Sequence, residues 1–115
     1  MQMNHYQSEA AKTSIYPKLK TKDDVHLPWV YAVIGLSGEC GEIAEKFKKI
    51  IRDKGGVVSN EDKHLITKEL GDVMWYLANI AKDLNIKLNT VAKENIKKLK
   101  SRKKRGKIMG SGDNR

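Results

Sequence analysis

Two stretches of this chain repeat apolar residues at intervals of three and four, and no stretch alternates at intervals of two. The first stripe runs through Leu36, Cys40, Ile43, Phe47 and Ile50, the second through Ile66, Leu70, Val73, Leu77, Ile80 and Leu84. Such spacing places each set on one face of an α-helix, and a half-buried strand cannot use it. Two long amphipathic helices, each needing an apolar partner, therefore dominate what the chain can fold into. An all-α fold follows: a bundle of four to five helices around a central antiparallel pair.

Local signals bound the helices. A first short helix covers about Asn4 to Ser14 and ends before Tyr16-Pro17, because proline disfavours helix in the residue before it. A polar linker leads to Pro28, an acceptable first-turn residue, and the second helix runs to about Arg52, where Gly55-Gly56 stop it. Ser59 or Asn60 caps the third, Glu61 and Asp62 suit its first turn, and it continues to about Leu84. Asn85 tolerates a left-handed exit. A fourth helix from Asn89 or Thr90 reaches about Arg105, Gly106 ends it, and Gly110-Ser111-Gly112 forms a loop. A length of 115 residues means one domain. Residues 1–106 are read as that helical domain and residues 107–115 as a C-terminal Gly-rich loop or tail.

Composition excludes several classes. No stretch approaches a membrane span, and the single cysteine cannot form an internal disulfide, so a reducing cytoplasmic setting is expected. Cys40 falls on an apolar stripe and is expected to be packed. His5, His26 and His64 lack the spacing of a zinc site. The net charge of +9 is concentrated: Lys97 to Lys107 carries eight basic side chains and no acidic one, which leaves 9 − 8 = +1 for the rest. Such a run is either a solvated helix end or an electrostatic footprint for phosphate groups.

Beside the apolar stripes lie two acidic pairs, Glu39-x-x-Glu42 and Glu69-x-x-Asp72. Residues three apart project from nearly the same helical face, so each pair can grip a hard cation, and two such helices side by side would close an oxygen cage suited to magnesium. One Glu-x-x-Glu is ordinary on a solvated helix face; two are harder to dismiss. Gly38, Gly41 and Gly71 adjoin the acids although glycine costs a helix interior about 1 kcal/mol relative to alanine. Close approach of another helix or a ligand is the expected compensation. Tyr76 and Asn79 prolong the line of Glu69 and Asp72, as Lys46 and Lys49 prolong that of Glu39 and Glu42. Lys46 and Lys49 are placed either to neutralise the carboxylates or to touch phosphate, or else are solvated.

The runs Gly35-Leu36-Ser37-Gly38-Glu39-Cys40-Gly41-Glu42 and Lys68-Glu69-Leu70-Gly71-Asp72-Val73-Met74-Trp75-Tyr76-Leu77 resemble the MazG-type nucleoside triphosphate pyrophosphohydrolases. The resemblance extends through Asn95-x-x-Lys98-Leu99-x-x-Arg102-x-x-Arg105-Gly106 to the closing Gly110-Ser111-Gly112-Asp113-Asn114-Arg115. It implies magnesium-dependent hydrolysis of a nucleoside triphosphate to the monophosphate and pyrophosphate, with Mn2+ as a substitute ion. Glu39, Glu42, Glu69 and Asp72 match the metal-ligand positions. Tyr76, Asn95 and Lys98 match positions near the nucleotide and its phosphates, and Arg102 and Arg105 match basic positions. Glu39 or Glu42 is the candidate to activate water. A homodimer or homotetramer is also implied, with no membrane or nucleic-acid partner. Two other readings compete: a nucleic-acid-binding or regulatory module using the basic fourth helix, and the same chemistry on phosphoribosyl-ATP or a guanosine alarmone. No Gly-rich Lys-Ser/Thr phosphate loop occurs, so side chains and metal must hold the phosphates.

Overall fold

Four helices carry the chain in the computed structural model, which describes residues 1–115: α1 (Met3–Lys12), α2 (Trp29–Lys54), α3 (Asn60–Asp83) and α4 (Leu88–Lys104). The expected all-α class holds, with helix ends within about two residues of their sequence signals. One correction concerns the linker after α1. It contains a small antiparallel hairpin of β1 (Leu19–Lys20) and β2 (His26–Leu27), in which Leu19 faces Leu27 and Lys20 faces His26. No helix is long and apolar enough to cross a membrane.

The α2–α3 pair is the backbone of the fold, and both ends of its turn are built as expected. Gly55 and Gly56 adopt φ of 59° and 83°, closing α2 in the left-handed region. Ser59 then opens α3 with a capping box: the Asp62 amide donates to Ser59 Oγ (3.1 Å), and the Ser59 amide donates to the Asp62 carboxylate (2.9 Å). Lys54 also reaches Asp62 at 2.8 Å, tying the end of α2 to the start of α3. The Lys54 ammonium, then the Ser59 amide and hydroxyl, hold the Asp62 carboxyl down at about 2. Replacing Ser59 by alanine is expected to lower stability by about 1 kcal/mol, measured by thermal denaturation near neutral pH. The Asp62 contribution has a defined pH window. It is whole above the unfolded aspartate value of about 3.9 and is lost as pH falls toward 2, so acid should narrow the gap between wild type and Asp62→Ala.

A different cluster forms the core. Ala10, Ala78, Ala81 and Leu88 are buried together where α1, α3 and the start of α4 meet, with Tyr6 and Trp75 against them. Alanines at this junction let the helices approach closely. α1 supplies the cap that α4 lacks: the Leu88 amide donates to Gln7 Oε1 (3.0 Å) and the Asn89 amide to Asn4 Oδ1 (2.9 Å). Gln7 also donates to the carbonyls of Ala78 and Ile86. Tyr16, after α1, is buried and donates to Asp83 at the end of α3 (2.5 Å); burial and that bond push its phenol up to about 12.

The apolar stripes are only partly used. Ile50 and Ile66 are buried, whereas Leu70 is 53% exposed and Phe47, Leu77 and Leu84 are each at least 40% exposed. Cys40 is exposed too, against the expectation that it would be packed. One neighbouring helix covers only a narrow line of each stripe, and the remainder has no partner within the chain. The radius of gyration, 17.4 Å, exceeds the roughly 13 Å usual for this length.

The last ten residues fold back onto the end of α4. Arg102, only 5% exposed, donates to the carbonyl of Asp113 (2.7 Å), while Arg115 wraps back to the carbonyls of Lys107, Ile108 and Gly112. Arg105 donates to the Arg115 carbonyl. Gly110 and Gly112 take positive φ to allow the turn. The Gly-rich loop at residues 107–115 is thus held by arginines against the end of α4.

Candidate metal and nucleotide site

Three of the four predicted carboxylates converge. Glu39 on α2 and Glu69 and Asp72 on α3 bring one oxygen each within 4.8 Å of one another. The antiparallel run of the two helices explains this: Gly35 meets Tyr76, Lys46 meets Glu69, and Lys54 meets Asp62, so Glu39 falls opposite the Glu69–Asp72 turn. Glu39 and Glu69 are half-buried and Asp72 is exposed. Glu42 is exposed and is not one of the three, although its charge bears on Glu39. Desolvation first, then Asp72, Glu69 and Glu42, push the Glu39 carboxyl above the usual glutamate range. Like charges held together without a counter-ion are costly in folding terms and favourable for a divalent cation.

The donor set fits a hard cation. All three groups supply oxygen, and no histidine or sulfur joins them, which matches magnesium or manganese rather than zinc or copper. The chain itself already satisfies part of the negative charge: Lys46 Nζ lies 3.0 Å from Glu69 Oε1.

Tyrosines border the acids. The Tyr76 hydroxyl is shifted up by burial, then by Tyr31, Glu39 and Asp72, and its ring lies against Gly35, one turn before Glu39 on α2. A Cβ on Gly35 would lie 2.2 Å from the Tyr76 ring, so the close approach expected at a glycine occurs at Gly35. Gly38, Gly41 and Gly71, where it was expected, have nothing within 4 Å. Trp75 packs edge-on against Tyr76 (4.9 Å between centroids) and Tyr16 stacks on Tyr31 (5.4 Å).

Two residues near the site escaped sequence reasoning in part or whole. Tyr6 on α1 packs against the Ala10, Ala78, Ala81 and Leu88 core, and burial, then Asp72, raise its phenol above the usual range; no periodicity in its short helix signals this. Asn79, one turn beyond Tyr76, is 1% exposed, and its Oδ1 is buried without a partner. Its place in the line from Glu69 was visible; its burial was not.

Three of the four predicted α4 residues have partners outside the triad, and the fourth, Asn95, has none. Asn95 is exposed, Lys98 pairs with Asp113 (3.6 Å), Arg102 is buried under the clasp, and Arg105 bonds Ser101 and Arg115. None of their partners belongs to the triad.

Comparison with known proteins shows the family. A family model described as the MazG nucleotide pyrophosphohydrolase domain matches residues 32–106, which include the triad and the whole of α4. The gene 37 protein of Mycobacterium phage L5 is 50% identical over 115 residues, covering the whole of both chains. No solved structure matches.

Proposed function

The chain belongs to the MazG nucleotide pyrophosphohydrolase family, and from that premise we propose that it hydrolyses a nucleoside or deoxynucleoside triphosphate to the monophosphate and pyrophosphate with magnesium. The observation that carries the reading is the convergence of Glu39, Glu69 and Asp72 from two helices. Those three would hold the ion. When bound, it neutralises charge on the phosphate oxygens and lowers the barrier to attack by water.

The remaining residues have separable tasks. Glu42 stands one turn from Glu39 and outside the triad, which leaves its carboxylate free to orient the water and accept its proton. Glu39, with its raised proton affinity, is the second candidate for that role. Tyr76, against Gly35, is assigned the nucleoside end of the seam, and Lys46, paired with Glu69, the phosphate end. Lys98 has only an exposed aspartate to release before it meets phosphate.

A homodimer or homotetramer accords with the surface. The chain exposes 8618 Å2, about 2,300 Å2 more than the roughly 6,300 Å2 typical of a 13.0 kDa monomer. Phe47, Leu70, Leu77 and Leu84 of the apolar stripes are among the exposed residues that a second copy would cover.

The deciding experiment is a magnesium-dependent assay over the common ribo- and deoxyribonucleoside triphosphates, with phosphoribosyl-ATP and a guanosine alarmone included. Monophosphate and pyrophosphate in equal amounts are expected from at least one of them. Diphosphate with orthophosphate, or turnover undiminished by a chelator, would overturn the reading. The nucleic-acid alternative expects instead steeply salt-dependent binding to DNA or RNA without hydrolysis.

A further inference from the structure

Lys46 belongs to two neighbouring features at once. Its ammonium pairs with Glu69, both partners being largely withdrawn from solvent at 30% and 18% side-chain exposure. It also lines a cleft of about 220 Å3 between α2 and α3, whose floor is Ile50 and Ile66 and whose walls carry Lys49 and Lys54. The two aspartates there are already neutralised, Asp62 by Lys54 (2.8 Å) and Asp53 by Arg52 (2.7 Å). Lys49 has only a 3.8 Å pairing with Glu45. Joined to the triad through the Lys46–Glu69 pair, therefore, lies a cleft whose unspent charge is positive and which has room for more than one water-sized group.

We propose that Lys46 is an exchangeable cation: it holds Glu69 while no divalent ion is present and turns to the substrate's terminal phosphates in the lysine cleft when the ion takes its place. This rests on the pyrophosphohydrolase reading and goes beyond it. An ammonium and a divalent cation cannot share the Glu69 oxygens, because their repulsion adds to the competition for the same lone pairs. The flexible four-carbon stem of lysine lets the head swing without moving α2. The terminal phosphates then supply the anion that Lys46 has lost. Lys46 consequently works against the ion alone and in favour of the polyphosphate, so the two ligands assist each other.

Opposite signs make the proposal testable on the full-length chain. Mn2+ binding without nucleotide is measured by the loss of the free-ion paramagnetic resonance signal. Binding of an α,β-methylene triphosphate, which resists cleavage, is measured by calorimetry at saturating magnesium. Lys46→Gln is expected to bind Mn2+ about fivefold more tightly than wild type, as removal of a partly buried pair worth about 1 kcal/mol implies. The same variant should bind the analogue about tenfold more weakly, the loss of one charge-assisted bond to phosphate. Lys46→Arg should restore most of the analogue affinity. Unchanged or weaker Mn2+ binding in Lys46→Gln, or undiminished analogue binding, would overturn the exchange. Glu69→Gln separates the two levels: if wild type binds no Mn2+, or Glu69→Gln binds it equally well, the metal site itself fails. If Glu69→Gln loses the ion while Lys46→Gln behaves as wild type, only the exchange fails. Helical circular dichroism confirms that each variant is folded.

Discussion

Asp72→Asn is expected to reduce magnesium-dependent turnover by at least about 10²-fold while leaving the metal-free protein as stable as wild type or slightly more so. The size follows from the loss of one of three converging oxygen ligands, since even outer partners of a metal site cost about 10- to 100-fold. The sign of the stability change follows from the electrostatics. Asp72 is exposed, and its charge raises the proton affinities of Glu39, Tyr76 and Tyr6. Asparagine keeps the shape and removes that repulsion. Kinetics at saturating nucleotide and a thermal melt in chelator measure the two effects. A residue kept for packing would lose stability together with activity; one kept for a ligand should not. Should Asp72→Asn retain wild-type turnover, the proposed ligand set is wrong.

Gly35→Ala carries the largest expected structural effect, and two opposing terms decide it. Alanine in a helix interior is favoured over glycine by about 1 kcal/mol. Against that, the new Cβ would lie 2.2 and 2.3 Å from two ring carbons of Tyr76 and 2.8 Å from its hydroxyl oxygen. The ring cannot simply swing away, because Trp75 packs edge-on against it and Trp75 is itself anchored by a hydrogen bond to Thr13 (2.7 Å). Overpacking of this kind costs about 1–3 kcal/mol, so the net expectation is destabilisation by about 1–2 kcal/mol, read as a fall in melting temperature. Gly38→Ala, in the same helix with open space around its Cβ, is expected to be neutral or stabilising. The pair separates clash from propensity. If both substitutions raise the melting temperature equally, Tyr76 does not pack on Gly35. Displacement of Tyr76 should also weaken nucleotide binding, seen as a raised KM.

The helices themselves were legible because their signals are local. Ser59, Gly55, Asn85 and the three- and four-residue spacing act within a turn or two of where they sit, and each performs as its side chain and backbone preference require. The acidic pairs were legible for the same reason: a three-residue offset puts two carboxylates on one face whatever else the chain does.

Four features were not decided at that range. Glu39 rather than Glu42 joins Glu69 and Asp72 because the register of α2 on α3 chooses between residues one turn apart. Cys40 and much of the apolar stripe lie open because a single partner helix covers only a narrow line. The cap of α4 comes from Asn4 and Gln7, more than eighty positions away in the chain. The tail is gripped by Arg102 and Arg115 through backbone carbonyls that any residue would offer. Short-range chemistry thus set where each helix begins, ends and carries charge. Which of those charges meet depends on how the helices cross, and that is settled by packing between segments distant in sequence.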